Sequence, residues 1–236
     1  LKFHIDQSGF DAKGVELKKT KINPKKIIAF IEPHIEQGPI LEKNKISLGI
    51  VTGIRGSFRF RNAQCIGKYL HSGATPIDYR KDSVLATSML VFEMNEFWKK
   101  ELKNNKDLTI TFGEFFTDKE EHSFAKSSGL VSFCLDVRSN SKVVLKRTKS
   151  ILIKKMKKIE RKTKTIFNLG KETSSEPAMM NSKLIKKFQF SAKKTKIKFL
   201  VMASGAGHDA SVFANNKIPS IMLFIRNQHG SHNPME

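Results

Sequence analysis

The order of hydrophobic patterns predicts an α/β domain interrupted by an inserted α+β module. Three observations carry this. Apolar runs at 27–31 and 221–225 end in polar tips, as buried strands of an α/β sheet do. Between them the pattern changes to alternation. Phe58 and Phe60 alternate with Arg59 and Arg61, and Val131, Phe133, Leu135 and Val137 with Ser132, Cys134, Asp136 and Arg138, the period of half-exposed strands. Glycine-containing breaks at 52–56 and 170–177 flank this middle region. Residues 1–54 and 171–236 are therefore expected as pieces of one domain, and 55–170 as a module inserted into it.

Each element follows in order. Residues 1–26 are polar with a few apolar anchors, and Gly9, Gly14 and Asn23-Pro24 mark loops. Val15-Glu16-Leu17 fits a short helix. A buried strand over 27–31 leads to His34, a second strand covers 46–51, and 52–56 reads as a hinge. Inside the module, a strand at Phe58 and a Thr75-Pro76 turn precede a helix over 82–100, with Val84, Leu85, Met89 and Phe92 on one face. Leu108, Ile110 and Phe112 alternate as a strand, and 131–137 follows. A second helix over 142–162 turns Leu145, Leu152, Met156 and Ile159 inward, and a strand falls near 165–169. Strand, helix, strand, strand, helix, strand is the split βαβ, ferredoxin-like order. Such a sheet packs helices on one face and leaves the other available, where Asp136 and Arg138 would point. After a second hinge at 170–177 come a helix over 182–193, a loop at 205–209 and the strand at 221–225.

The chain has 236 residues, 39% hydrophobic and 28% charged, enough to bury a core. No apolar run approaches the ~18 residues of a membrane span, so no membrane partner is expected. No signal-peptide pattern opens the sequence. Cys65 and Cys134 form no disulfide framework, which points to a reducing cytoplasm. The net charge of +21 raises a nucleic-acid or anionic-surface partner. Against that, the excess is mostly Lys scattered along the chain. Its densest run, Lys154 to Lys164, falls on the wet face of a predicted helix and has no aromatic platform beside it. A basic nucleic-acid binder is the minor alternative.

Histidines recur at strand ends: His34, His208, and His229 with His232. One alone could be a satisfied core side chain. Three at distant positions suggest one convergent site, and neutral imidazole is the commonest zinc ligand.

Five motifs, EPHIEQGPILE, HSGATPIDYRKDS, FCLDVRS, SGAGHDAS and GSHNPME, run in order to the chain's last residue. Together they resemble the allantoate amidohydrolase and N-carbamoyl-L-amino-acid hydrolase branch of the zinc aminoacylase and carboxypeptidase family. The resemblance implies metal-dependent cleavage of a C–N bond in a ureido or carbamoyl substrate, by a full-length protein holding two divalent metal ions, zinc or manganese. It also implies that the inserted module is a lid and dimerisation domain, hence a homodimer. By motif, His34 and His232 match the family's metal ligands and Gln37 its substrate-binding glutamine. His71 matches a catalytic histidine that reaches the neighbouring subunit's substrate and polarises the scissile carbonyl. Arg138 matches the arginine that binds the substrate carboxylate, and Gly207 a glycine that lets backbone approach the substrate. Plainer roles exist for each: Arg138 pairing with Asp136 or Asp82, His71 as a loop residue, His208-Asp209 orienting a ligand.

Two departures stand out. Much of the branch has an asparagine thirteen residues before the carboxylate-binding arginine, where this chain has Ala125; His122, three residues earlier, is the candidate substitute. The family's remaining ligands, a histidine, a bridging aspartate and a glutamate pair that includes the general base, come from a segment N-terminal to position 1. The chain is therefore expected to be an N-terminally truncated piece, with a catalytically incomplete lid and dimerisation scaffold as the alternative. The substrate stays open among allantoate, N-carbamoyl amino acids, N-carbamoyl-β-alanine and ureidoglycolate.

Overall fold

The structure, a computed structural model, describes residues 1–17 and 23–230. In chain order its elements are α1 (Lys2–Gln7), α2 (Ala12–Glu16), β1 (Phe30–Ile35), α3 (Ile40–Lys43), β2 (Leu48–Ile54), β3 (Gly56–Ile66) and β4 (Leu70–His71). Then come α4 (Ser83–Lys103), β5 (Thr109–Thr111), β6 (Phe115–Thr117), β7 (Lys126–Ser127), β8 (Leu130–Ser139), α5 (Lys142–Thr163), β9 (Ile166–Asn168) and β10 (Glu172–Ser175). The last are β11 (Ala178–Met179), α6 (Ser182–Lys194), β12 (Phe199–Ser204), α7 (Asp209–Asn215) and β13 (Ser220–Ile225). The chain divides into two units: Leu1–Ile50 with Met180–Leu200 and Asp209–Glu236, and Val51–Met179 with Val201–His208.

In the first unit β1 runs parallel to β13, and β13 runs antiparallel to the opening residues of β2. Ile50, Ile221, Met222 and Phe224 are buried on these strands. Helix α7 packs on β1, where the Phe30 and Phe213 rings stack 3.8 Å apart at 8°. β1 starts later than the apolar run suggests, so His34 lies inside the strand rather than beyond its tip. Pro33 is tolerated there because β1 is the terminal strand of its sheet among the described residues, where a missing N–H costs least.

The second unit has the split βαβ order. β9, β3, β8 and β5 lie side by side, all pairs antiparallel, with α4 and α5 between successive strands. β10 extends the β3 edge and β6 the β8 edge. The helices cover one face. Phe58, Phe60, Cys65, Leu90, Met94, Val131, Phe133, Leu135, Val137, Leu152, Met156 and Ile159 make the core between them. The other face carries Arg59, Asp136 and Arg138.

Three sequence readings need correction. Both expected hinges are largely strand: β2 runs to Ile54 and β3 starts at Gly56, while β10 pairs with 57–60. Gly56 is needed at this corner, since a Cβ there would sit 2.4 Å from Pro177 N. On α4, the buried stripe is Ser83, Ala86, Thr87, Leu90, Met94, Phe97 and Glu101, while Leu85 and Phe92 are exposed. Small side chains let α4 approach the sheet, and their hydroxyls are satisfied: Ser83 Oγ donates to Ser128 O at 2.9 Å and Thr87 Oγ1 to Ser83 O at 2.7 Å.

Candidate active site

The candidate side chains among the described residues fall into two groups, one in each unit. In the first, His34 Nδ1 donates to Ile35 O at 2.8 Å. A carbonyl can only accept, so in the neutral ring Nε2 is the unprotonated nitrogen, the form that ligates a metal. Glu32, two residues earlier in β1, accepts from Ala210 N at 2.7 Å and so caps the start of α7. Glu36 is buried and accepts from Ile40 N at 2.8 Å and Leu41 N at 2.7 Å, which commits it to the first turn of α3. Gly38 follows because the Glu36 carboxylate folds back over it: a Cβ would come 3.1 Å from Glu36 Oε1. Gln37 stands between them at φ 57°, in the left-handed region that favours glycine, and its buried Oε1 has no hydrogen-bond donor among the described residues. Strain and an orphaned acceptor together mark functional positions.

His34 therefore fits one ligand of a metal centre. Among the described residues no three His, Cys, Asp or Glu side chains gather to hold an ion. His232, the other motif histidine, lies outside the described residues. Near the start of the chain, Asp6 accepts from Ala12 N and His4 packs edge-on against Phe3.

In the second unit, His71 ends the two-residue strand β4 and is exposed. Its Nδ1 accepts from Gly73 N at 3.2 Å and Ala74 N at 3.1 Å. Both are N–H donors, so Nδ1 carries no proton and Nε2–H is a donor directed away from the turn. β7 pairs with β4, setting Lys126 opposite His71, and Ser72 N bonds Ala125 O at 2.8 Å. His122 belongs to the loop entering β7, with its Nδ1 2.7 Å from Thr117 Oγ1. It lines a cavity of about 640 Å³ with Asp82, Thr117, Phe124, Lys126 and Ser128. Asp82 is not a partner of Arg138; it caps α4 through Val84 N and Leu85 N.

Arg138 does pair with Asp136, through Nε and through Nη2 at 2.7 Å, and its Nη1 donates to Gly205 O at 2.8 Å. A guanidinium has five N–H groups. These bonds leave one N–H on each terminal nitrogen, donors of the kind that carboxylates take. Gly207 faces open space among the described residues: a Cβ there would meet none of their atoms within 4 Å, so none of their packing requires the glycine. Sequence reading passed over Arg59, which shares Asp136 with Arg138 at 3.3 Å, and Arg61 beside it. The alternation in β3 already set both on the face of Arg138.

A histidine in its ligand tautomer at the carboxyl end of a parallel strand is a means of holding a metal, and a guanidinium with two of its five N–H groups unspent is a means of holding a carboxylate. The family follows from comparison with known proteins. Residues 10–236 match peptidase family M20/M25/M40, and the chain belongs to that family. It is 33% identical to the allantoate amidohydrolase of Escherichia coli over 94% of this chain and 53% of that one. It is 32% identical to the N-carbamoyl-L-amino-acid amidohydrolase of a Pseudomonas species over 88% and 49%. The crystal structure of an amidase of the hydantoinase/carbamoylase family from Burkholderia phymatum superposes with a TM-score of 0.76 at 26% identity, over 91% of this chain and 53% of that one. The chain thus spans about half the length of the curated relatives it matches.

Proposed function

We propose that this chain carries the substrate-binding part of an amidohydrolase that cleaves a C–N bond in a ureido or carbamoyl compound. The observation that carries it is His71. Two backbone N–H groups fix its tautomer, so Nε2–H is a preset donor of the kind that stabilises a tetrahedral oxyanion. The relatives' names supply the bond to be cleaved. Arg138 takes the substrate's carboxylate on its free edge, and Gln37, Gly207 and His122 position the remainder. The second unit serves as lid and dimerisation domain, with His71 acting on substrate held by the neighbouring subunit. His34 and His232 would hold metal, zinc or manganese, which when bound supplies an activated water and a polarised carbonyl.

The test is ammonia release from allantoate and from N-carbamoyl amino acids, with zinc or manganese added, by this chain and by the whole gene product. Turnover is expected from the whole product only. Turnover by this chain alone, abolished by His34→Ala, would overturn the expectation that this chain lacks part of the metal site, and would mean that residues such as His4, Asp6 or His208 complete it. The second reading, a scaffold without activity of its own, rests on the absence of three gathered ligands among the described residues. It predicts no turnover from either.

A further inference from the structure

On the open face of the second unit's sheet, a cavity of about 480 Å³ is lined by Arg59, Arg61, Glu114, Cys134, Asp136 and Arg138. Its charge is arranged unevenly. Asp136 is shared by Arg59 at 3.3 Å and Arg138 at 2.7 Å. Arg61 is exposed and makes no hydrogen bond or ion pair among the described residues. Among the described residues Glu114 is the only other carboxylate lining the cavity, so three guanidinium groups accompany two carboxylates there and the balance is one positive charge.

The backbone gives a second, independent reason to look here. β3 and β8 pair in register from Gly56↔Ser139 to Phe60↔Leu135 and again from Ala63↔Phe133. Arg61 and Asn62 therefore both oppose Cys134, a β-bulge. A bulge re-aims the side chains it carries and recurs beside active sites. Here it sits two residues along the strand from Arg59, about 7 Å at the usual rise, and Asn62 joins Arg61 among the cavity-lining residues.

We infer that this cavity reads a second anionic group on the substrate, so that the preferred ligand is an N-carbamoyl compound of a dicarboxylic amino acid, with one carboxylate on Arg138 and the other on Arg61. This rests on the proposed role of Arg138. Arg59 stays with Asp136 and holds the Arg138 guanidinium in place. Arg61 is the specificity-determining residue.

The experiment is calorimetric titration of this chain with two probes that differ in a single group, N-carbamoyl-L-aspartate and N-carbamoyl-L-asparagine. The aspartate compound should bind about tenfold tighter or better, the scale of one charge-assisted hydrogen bond. Arg61→Gln should erase that preference and leave the asparagine compound unchanged, while Arg61→Lys should keep part of it. Circular dichroism checks that these surface variants remain folded. An Arg61→Gln ratio equal to that of the unaltered chain would overturn the inference, as would binding of neither probe, since all the lining residues belong to this chain. Arg138→Gln separates the two readings: it should weaken both probes, and if it weakens neither, the carboxylate role of Arg138 itself is wrong.

Discussion

Glu36 stands two residues from a candidate metal ligand and is buried, yet its carboxylate is already spent on Ile40 N and Leu41 N. Glu36→Ala should therefore act on stability, costing about 2 kcal/mol as a lost charged cap, read as a lower urea midpoint. His71 is the reverse case, exposed and with one nitrogen fixed. Nitrogen NMR should find the neutral ring in the Nε2–H tautomer; a proton on Nδ1 would break the two backbone bonds that hold the ring. Cys65 shows a third situation. Burial pushes its thiol above the ordinary value of 9.0, nearby Glu160 and Asp82 add to this, and Thr87 and Thr165 oppose it. The fold thus favours the neutral thiol. That preference is fully present below the unfolded thiol's value of about 9.0 and is lost as pH rises through the raised folded value, so stability relative to Cys65→Ala should fall as pH climbs above about 9. Below that window a thiol reagent should label half-buried Cys134 first and Cys65 only on unfolding.

Periodicity was enough to read the long elements and not the short ones. Leu145, Leu152, Met156 and Ile159 mark the inner face of α5, and all four are buried. The alternation over 131–137 likewise marks β8. On α4 the same reasoning chose the wrong face, because it counted apolar side chains and ignored that Ser83 and Thr87 bury well once their hydroxyls are bonded. The contrast can be measured: Leu152→Ala should cost about 3 kcal/mol, whereas Leu85→Ala, at a position 51% exposed, should cost well under ~1 kcal/mol. β4 and β7 have two residues each and no periodic signal, so the ribbon that presents His71 and Lys126 could not be foreseen. The bulge at Arg61-Asn62 was equally hidden, since its register depends on β8, distant in sequence. Gln37's orphaned oxygen is likewise a property of the folded turn.

At the scale of the whole molecule, part of the lysine charge behind the net +21 is taken up in ion pairs along α5. On α5, Lys142 sits 2.5 Å from Glu176, Lys155 sits 2.6 Å from Glu93, and Lys149 pairs with Glu172. Among the described residues no helix is long and apolar enough to cross a membrane. Sequence motifs reached the family, which periodicity could not, because residues such as His34, His71 and Arg138 stand in recognisable neighbourhoods whatever their distance apart. What motifs could not supply was the state of each side chain: which nitrogen of His71 is protonated, and how much of Arg138 is already used by Asp136 and Gly205. Those states are what make the proposed division of labour testable. In that proposal Arg138 binds substrate in its ground state, while His71 donates to charge that develops only during the reaction. The most direct measurement is ammonia release by the whole gene product and its His71→Ala variant, with kcat and KM determined separately. The account predicts kcat falling about 10²–10³-fold with KM nearly unchanged. An unchanged kcat, or a loss confined to KM, would contradict it.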